Sequence, residues 1–224
     1  MALKKNIKHK YRVLIVDDHH IVRYGLTQLL NRENDFVVCA EAESSESAMK
    51  AAQLEKPDLS IVDISLKDSN GFDLIKNLKS QYPKMTILVL SMHDEAIYAE
   101  RALRAGAMGY VMKQEINEKL IIAMRKIMGG KVYMSPEMTE KMMHKIVRSQ
   151  KTNESFSMDL LSDREFELFL LLGQGIKIGQ AARTLNMSVS TAEYHRANIR
   201  KKLGLRNADE LTRLAIKWMQ ESYK

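Results

Sequence analysis

The stretch Tyr11-Arg12-Val13-Leu14-Ile15-Val16-Asp17-Asp18 constrains the fold more than any other. A short run of β-branched and long aliphatic residues stops abruptly at two adjacent carboxylates. Such a run reads as a strand buried on both faces, as in a parallel sheet. The acids then stand just beyond its carboxyl end, which is where open α/β sheets bind their ligands. Two like charges side by side repel, and a cation between or beside them relieves the repulsion. Taken alone, the pair fits a solvated loop equally well. The ends of the other strands decide.

Four further strands are predicted at Phe36–Ala40, Leu59–Asp63, Thr86–Ser91 and Gly109–Met112. Helical spacing of apolar residues falls between them, at His20–Asn31, Ser45–Lys56, Phe72–Gln81 and Glu95–Ala105. A last helix, with Asn117 as its N-cap, runs to Met128, and Gly129-Gly130 closes the region. Five strands each followed by a helix predict an α/β fold with a parallel sheet and right-handed crossovers. The carboxyl ends of these strands bring Asp17 and Asp18, Asp63, Ser91 and Lys113 to one edge. Each has a dull explanation by itself, as a turn, a cap or a surface lysine. Together they suit phosphoryl transfer to a carboxylate, which needs positioning and charge neutralisation more than covalent help. Asp63 is the expected nucleophile. Asp17 and Asp18 are expected to help hold Mg²⁺, Lys113 to pair with a phosphoryl oxygen and Ser91 to donate to another.

The remainder is helical. Residues 129–157 read as a linker with one helix, Glu137–Arg148, opened by Ser135-Pro136, and Ser149–Ser155 reads as flexible. In 158–221, Ser162-Asp163-Arg164-Glu165 is a capping box opening Phe166–Leu172. Lys177–Leu185, the turn Asn186-Met187-Ser188 and a helix running to Leu203 have the layout of a helix-turn-helix at about 178–197. Asn207 caps a fourth helix with Leu211, Leu214, Ala215 and Trp218 on one face, either packing on the helix-turn-helix or forming a dimer contact. The chain carries a net charge of +7, and Arg196, Arg200, Lys201, Lys202 and Arg206 cluster without an acid among them. In this motif the cluster reads as a nucleic-acid footprint, with Arg196, Arg200 and Lys201 on phosphates. Ser190, Thr191, Glu193, Tyr194 and Ala197 lie early on the second helix, the last three as candidate base readers. Ser190-x-x-Glu193 also has the spacing of a capping box.

The single Cys39 excludes a disulfide framework, and no Cys/His cluster points to zinc. No apolar run approaches the length needed to cross a bilayer, and no secretion signal is read at the start, so the cytoplasm is the expected compartment.

Val16-Asp17-Asp18-His19, Ile61-Val62-Asp63-Ile64, Leu90-Ser91-Met92-His93-Asp94-Glu95 and Gly106-Ala107-Met108-Gly109-Tyr110-Val111-Met112-Lys113 resemble the receiver domains of bacterial two-component response regulators, over residues 10–128. Leu161-Ser162-Asp163-Arg164-Glu165, Ser188 to Arg196 and Lys201-Lys202-Leu203-Gly204-Leu205 resemble a LuxR-type DNA-binding domain. The combination is that of the NarL/FixJ subfamily. The resemblance implies a flavodoxin-like sheet of order 2-1-3-4-5 and phosphorylation of Asp63 by a histidine kinase. It also implies Mg²⁺ on Asp18, Asp63 and the Ser65 carbonyl with Asp17 assisting, and Ser91 and Tyr110 as a switch pair. Phosphorylation is expected to promote a homodimer that binds double-stranded DNA. Lys67 departs from the family, many members having proline there, and Ala192-Glu193 stands where many have Val-Lys. Two alternatives remain at this level: a phosphorylation-independent DNA-binding regulator, and a Mg²⁺-dependent aspartyl phosphohydrolase. The latter typically carries its reactive acid in a DxD pattern on the first strand, unlike Asp17-Asp18. A regulator, not a turnover enzyme, is the expectation.

Overall fold

A computed structural model describes residues 10–67, 70–149 and 158–222. The first part alternates β1 (Tyr11–Val16), α1 (His20–Asn31), β2 (Phe36–Ala42), α2 (Ser45–Glu55), β3 (Leu59–Val62), α3 (Gly71–Gln81), β4 (Thr86–Ser91), α4 (Glu95–Ala105), β5 (Gly109–Met112) and α5 (Ile116–Met128). The strands form one parallel sheet in the order β2-β1-β3-β4-β5. This is the expected doubly wound arrangement, with the strand order reversing direction at β1 and β3. That reversal opens a crevice at the carboxyl edge.

Alternate residues of each strand face opposite sides. Val13, Ile15, Leu59, Ile61, Leu88, Leu90 and Val111 pack with Leu26 and Leu30 of α1 and Leu120, Ala123, Met124 and Ile127 of α5. Leu14, Val16, Val62, Ile87 and Val89 are buried as completely. Burial on both faces is why these strands read as continuous apolar runs. Each such side chain contributes about 1.5–3 kcal/mol.

The helix starts follow local chemistry. Ser44 and Ser47 form a reciprocal capping box on α2, Asn70 accepts the Phe72 amide at 2.8 Å, and Asp94 accepts the Ala96 amide at 2.8 Å. Asn117 does not cap the fifth helix. A 3₁₀ turn at Lys113–Glu115 runs straight into α5, so Asn117 lies inside it and no cap is needed there.

The chain separates into two compact units at 139/140, within α6 (Pro136–Ser149). Ser135 opens α6 by accepting the Met138 amide at 3.1 Å. Most of the segment expected to be flexible lies outside the described residues. The second unit holds α7 (Asp163–Gly173), α8 (Ile178–Thr184), α9 (Val189–Lys202) and α10 (Ala208–Ser222). The Ser162–Glu165 capping box is formed on α7. Trp218 stands edge-on to Phe166 and Phe169, at 5.5 and 6.0 Å between ring centroids, so it packs on the helical core. No helix among the described residues is long and apolar enough to cross a membrane.

Candidate functional site

At the carboxyl edge of the sheet, Asp17 and Asp63 are each the first residue past their strands, and they are only 1% and 2% exposed. Asp63 Oδ1 accepts the Ser65 amide at 2.9 Å, and Asp63 Oδ2 accepts from Lys113 Nζ at 2.6 Å. The same ammonium lies 2.6 Å from Asp17 Oδ2. Lys113 therefore bridges the ends of β1 and β3 from just past β5. Burial pushes the Lys113 pKa down, but the Asp63 and Asp17 carboxylates outweigh it and hold it above the usual lysine range. Burial pushes the Asp63 carboxyl up, against the opposing pull of Lys113 and the Ser65 amide.

Gly71 makes this packing possible. A Cβ there would stand 2.4 Å from Ile64 Cα and 2.7 Å from the Asp63 carbonyl oxygen, so any side chain would push α3 off the loop that follows β3.

Asp17, Asp18, His19 and Asp63 each offer a ligand atom within 4.8 Å of the others. Asp17 Oδ2 and Asp18 Oδ1 are buried, with Lys113 Nζ 2.6 Å from the first and His19 Nδ1 2.7 Å from the second. Buried carboxylate oxygens with spare acceptor capacity are the hard donors that Mg²⁺ takes, so the residues fit that ion. Lys67 reaches Asp18 Oδ2 at 3.3 Å.

Ser91, the last residue of β4, is fully buried, and its hydroxyl accepts the His93 amide at 3.1 Å. Tyr110 is buried with its ring inward and donates to the His93 carbonyl at 2.9 Å. Burial pushes the Tyr110 phenol far up, which keeps it a neutral donor.

In the second unit, α9 is capped by Ser188, which accepts the Thr191 amide at 3.0 Å. The Ser190–Glu193 capping box does not form, because the helix starts two residues earlier than that box requires. Glu193 instead pairs with Arg196 at 2.6 Å. Ala192, Ile199 and Leu203 are buried against the other helices. This leaves Ser190, Thr191, Tyr194, Ala197 and Lys201 exposed, and Arg196 and Arg200 half-buried.

Residues 13–125 match the response regulator receiver domain, and residues 159–215 match the bacterial regulatory proteins of the luxR family. The chain belongs to the two-component response regulators of the NarL/FixJ subfamily. The oxygen regulatory protein NreC of Staphylococcus aureus is 32% identical to it over 210 residues, 92% of this chain and 97% of that protein. The RcsB response regulator of Salmonella typhimurium is 26% identical, with 93% of this chain and 98% of that one covered, at a TM-score of 0.63. RcsB of Salmonella enterica serovar Typhimurium, solved on promoter P1flhDC with the phosphomimetic BeF3⁻, is 27% identical over 92% of this chain and 97% of that one, at a TM-score of 0.57.

Within this response regulator, sequence reasoning gave no role to four residues near the receiver site. His19 lies within reach of both leading acids. Arg23 is buried and donates to the Asp17 carbonyl at 2.7 Å. Its signal was present, since Arg23, Leu26 and Leu30 occupy one buried stripe and a cation on such a stripe needs a partner. Lys67 reaches Asp18, and Glu95 is buried at the start of α4.

Proposed function

We propose that this response regulator is switched by phosphorylation of Asp63, and that the observation carrying this reading is the buried Asp63 carboxylate held at 2.6 Å by Lys113 beside Asp17 and Asp18. A histidine kinase or a small phosphodonor supplies the group. An Asp63 oxygen forms the new P–O bond while the P–N bond of phosphohistidine breaks, the imidazole nitrogen keeping the electron pair. The desolvation that raises the Asp63 pKa also makes it a stronger nucleophile. Asp17, Asp18, Asp63 and the Ser65 carbonyl are the groups that would hold Mg²⁺, whose charge offsets that of the acids and the phosphoryl oxygens. Lys113 then neutralises a phosphoryl oxygen, and the Ser91 hydroxyl leaves the His93 amide to donate to another. Ser91 and Tyr110 are the switch pair, both already bonded to His93.

Phosphorylation stabilises one receiver conformation, and that difference in affinity shifts the population toward a homodimer. In the cytoplasm the dimer binds double-stranded DNA at half-sites about one helical turn apart. Arg196, Arg200 and Lys201 contact phosphates, and Ser190, Thr191, Glu193, Tyr194 and Ala197 face the groove. The Glu193–Arg196 pair makes Glu193 as much a support for that arginine as a reader of bases. By this reading residues 10–128 are the receiver, 129–157 the linker and 158–221 the DNA-binding domain. The protein keeps its phosphoryl group as a signal and is not a turnover enzyme.

The test is acetyl phosphate with Mg²⁺ on wild type and Asp63→Asn, followed by mass, size and DNA binding. Wild type is expected to gain one phosphoryl group, dimerise and bind DNA more tightly, and Asp63→Asn to do none of these. Equal uptake by the two proteins would refute the assignment.

A further inference from the structure

The first residues of the linker are built into the receiver. Tyr133 donates its amide to the Met108 carbonyl at 2.9 Å and accepts the Tyr110 amide at 3.1 Å, which makes a parallel bridge to Gly109 on the free edge of β5. Lys126 of α5 lies 5.4 Å from the centre of the Tyr133 ring. A Cβ on Gly109 would stand 3.1 Å from Tyr133 Cβ and 2.9 Å from Leu88 Cδ1, so the two backbones meet as closely as they do only because glycine is there. Tyr133 is a fixed point.

Two residues on, the Ser135 amide donates to Glu95 Oε1 at 2.9 Å while the Ser135 hydroxyl caps α6. Glu95 is only 8% exposed, and a buried carboxylate is held in place by such a partner. The first turn of α6 therefore hangs from two points, Tyr133 on β5 and Ser135 on the first residue of α4.

Glu95 lies two residues beyond His93, and His93 is tied to the acceptor site on three sides. Its Nε2 is 2.9 Å from Ser65 Oγ, its amide donates to Ser91 Oγ, and its carbonyl accepts from Tyr110. Ser65 itself donates its amide to Asp63.

We propose that Glu95 couples the acceptor site to the linker helix, its bond to Ser135 tightening or slackening as His93 moves. The inference rests on reading Asp63 as the phosphoacceptor. A group added to Asp63 competes for the Ser91 hydroxyl and crowds Ser65, so His93 must shift. Asp94 and Glu95 follow it in the chain. Tyr133 stays on β5, so the displacement is taken up at Ser135, where α6 begins. Here the two states differ in a named contact, which is what coupling requires.

The experiment uses the full chain with beryllofluoride and Mg²⁺, as wild type, Glu95→Ala and Glu95→Gln. It reads beryllofluoride occupancy by fluorine NMR, hydrogen exchange of the Ser135 amide, and affinity for a random-sequence duplex. In wild type, beryllofluoride is expected to change Ser135 exchange and to raise DNA affinity by about fivefold or more, the lower end of ordinary allosteric coupling. Glu95→Ala is expected to bind beryllofluoride equally, to exchange Ser135 rapidly in both states, and to keep less than about twofold of the gain. Glu95→Gln retains an acceptor oxygen and most of the response. Unchanged Ser135 exchange in wild type that has bound beryllofluoride overturns the coupling and leaves the acceptor assignment standing. A full gain in Glu95→Ala does the same. Wild type that binds no beryllofluoride overturns the acceptor assignment and the coupling with it.

Discussion

The acceptor edge of the receiver and the helix α9 both depend on charge, and they handle it in opposite ways. At the acceptor edge two carboxylates and Lys113 are withdrawn from water and held at 2.6 Å. On α9, Lys201 stands in solvent and Arg196 shares itself with a half-buried Glu193. Coulomb interactions are strong and unscreened in the first setting and are weakened by water and salt in the second. The consequence is a difference in kind. At the acceptor edge each charge is conditional on the others, so one change alters the whole site. On α9, by the function proposed above, each cation adds a separable increment to DNA affinity.

The largest effect is expected from removing the one cation at the centre of the acceptor edge. In Lys113→Met, Asp17 and Asp63 lose the ammonium they share, and breaking a buried pair in this way costs about 3 kcal/mol. Hydrogen exchange at the Val16 and Val62 amides, which sit in the paired ends of β1 and β3, reads the loss directly. Mg²⁺ is expected to recover part of it. A loss under about 1 kcal/mol would mean that the acids tolerate one another there, and the contrast with α9 would fail.

The acceptor edge was legible in the chain because residue type and strand end coincide. Asp17, Asp63 and Lys113 each follow directly on an apolar run, so finding the strands also placed these residues at one edge of the sheet. What the edge does internally was not legible. That Lys113 bridges Asp17 and Asp63 depends on β1, β3 and β5 being brought together, which no local pattern encodes. Glu95 and Tyr133 escaped for the same reason, since their partners lie 40 and about 24 residues away in the chain. On α9 the basic cluster was legible, but the helix start was not. Ser188 and Ser190 are both good caps, and the competition is settled by where the preceding turn ends. Arg23 was the one readable signal passed over, a charge on a buried stripe whose partner is a backbone carbonyl.

The second unit has a buried charge of its own, which sharpens the comparison. Glu165, with only 4% of its side chain exposed, accepts from Lys202 at 2.6 Å and from the Ser162 amide at 2.7 Å. Burial would raise its pKa, but these partners outweigh burial and hold it below the usual glutamate range. Glu165→Gln is expected to cost about 1–2 kcal/mol at neutral pH, less than Lys113→Met because Lys202 is half in solvent. A carboxylate with a lowered folded pKa contributes fully above its ordinary value near pH 4.3 and loses that contribution as pH falls toward the lowered one. The gap between wild type and Glu165→Gln should therefore close as the pH drops below about 4. Fluorescence of Trp218, the only tryptophan, reports unfolding at the α7–α10 contact where the measurement is needed. A gap that persists in acid would show that packing, not charge, is what the side chain supplies.

The smallest effect per residue, and the most diagnostic, belongs to α9. Arg200 is half-buried, and its Nε is buried with no hydrogen-bond partner among the described residues. A phosphate contact predicts that Arg200→Ala weakens binding to all duplex sequences alike and lowers the slope of log affinity against log salt by about one. Tyr194, 65% exposed on the same helix, carries no charge, so its removal should leave that slope unchanged while altering preference among sequences. If Arg200→Ala instead spares most sequences and penalises one, the arginine reads a base. The additive account of α9 would then be wrong at that position, and Arg200 would behave as Lys113 does, with its value set by specific partners.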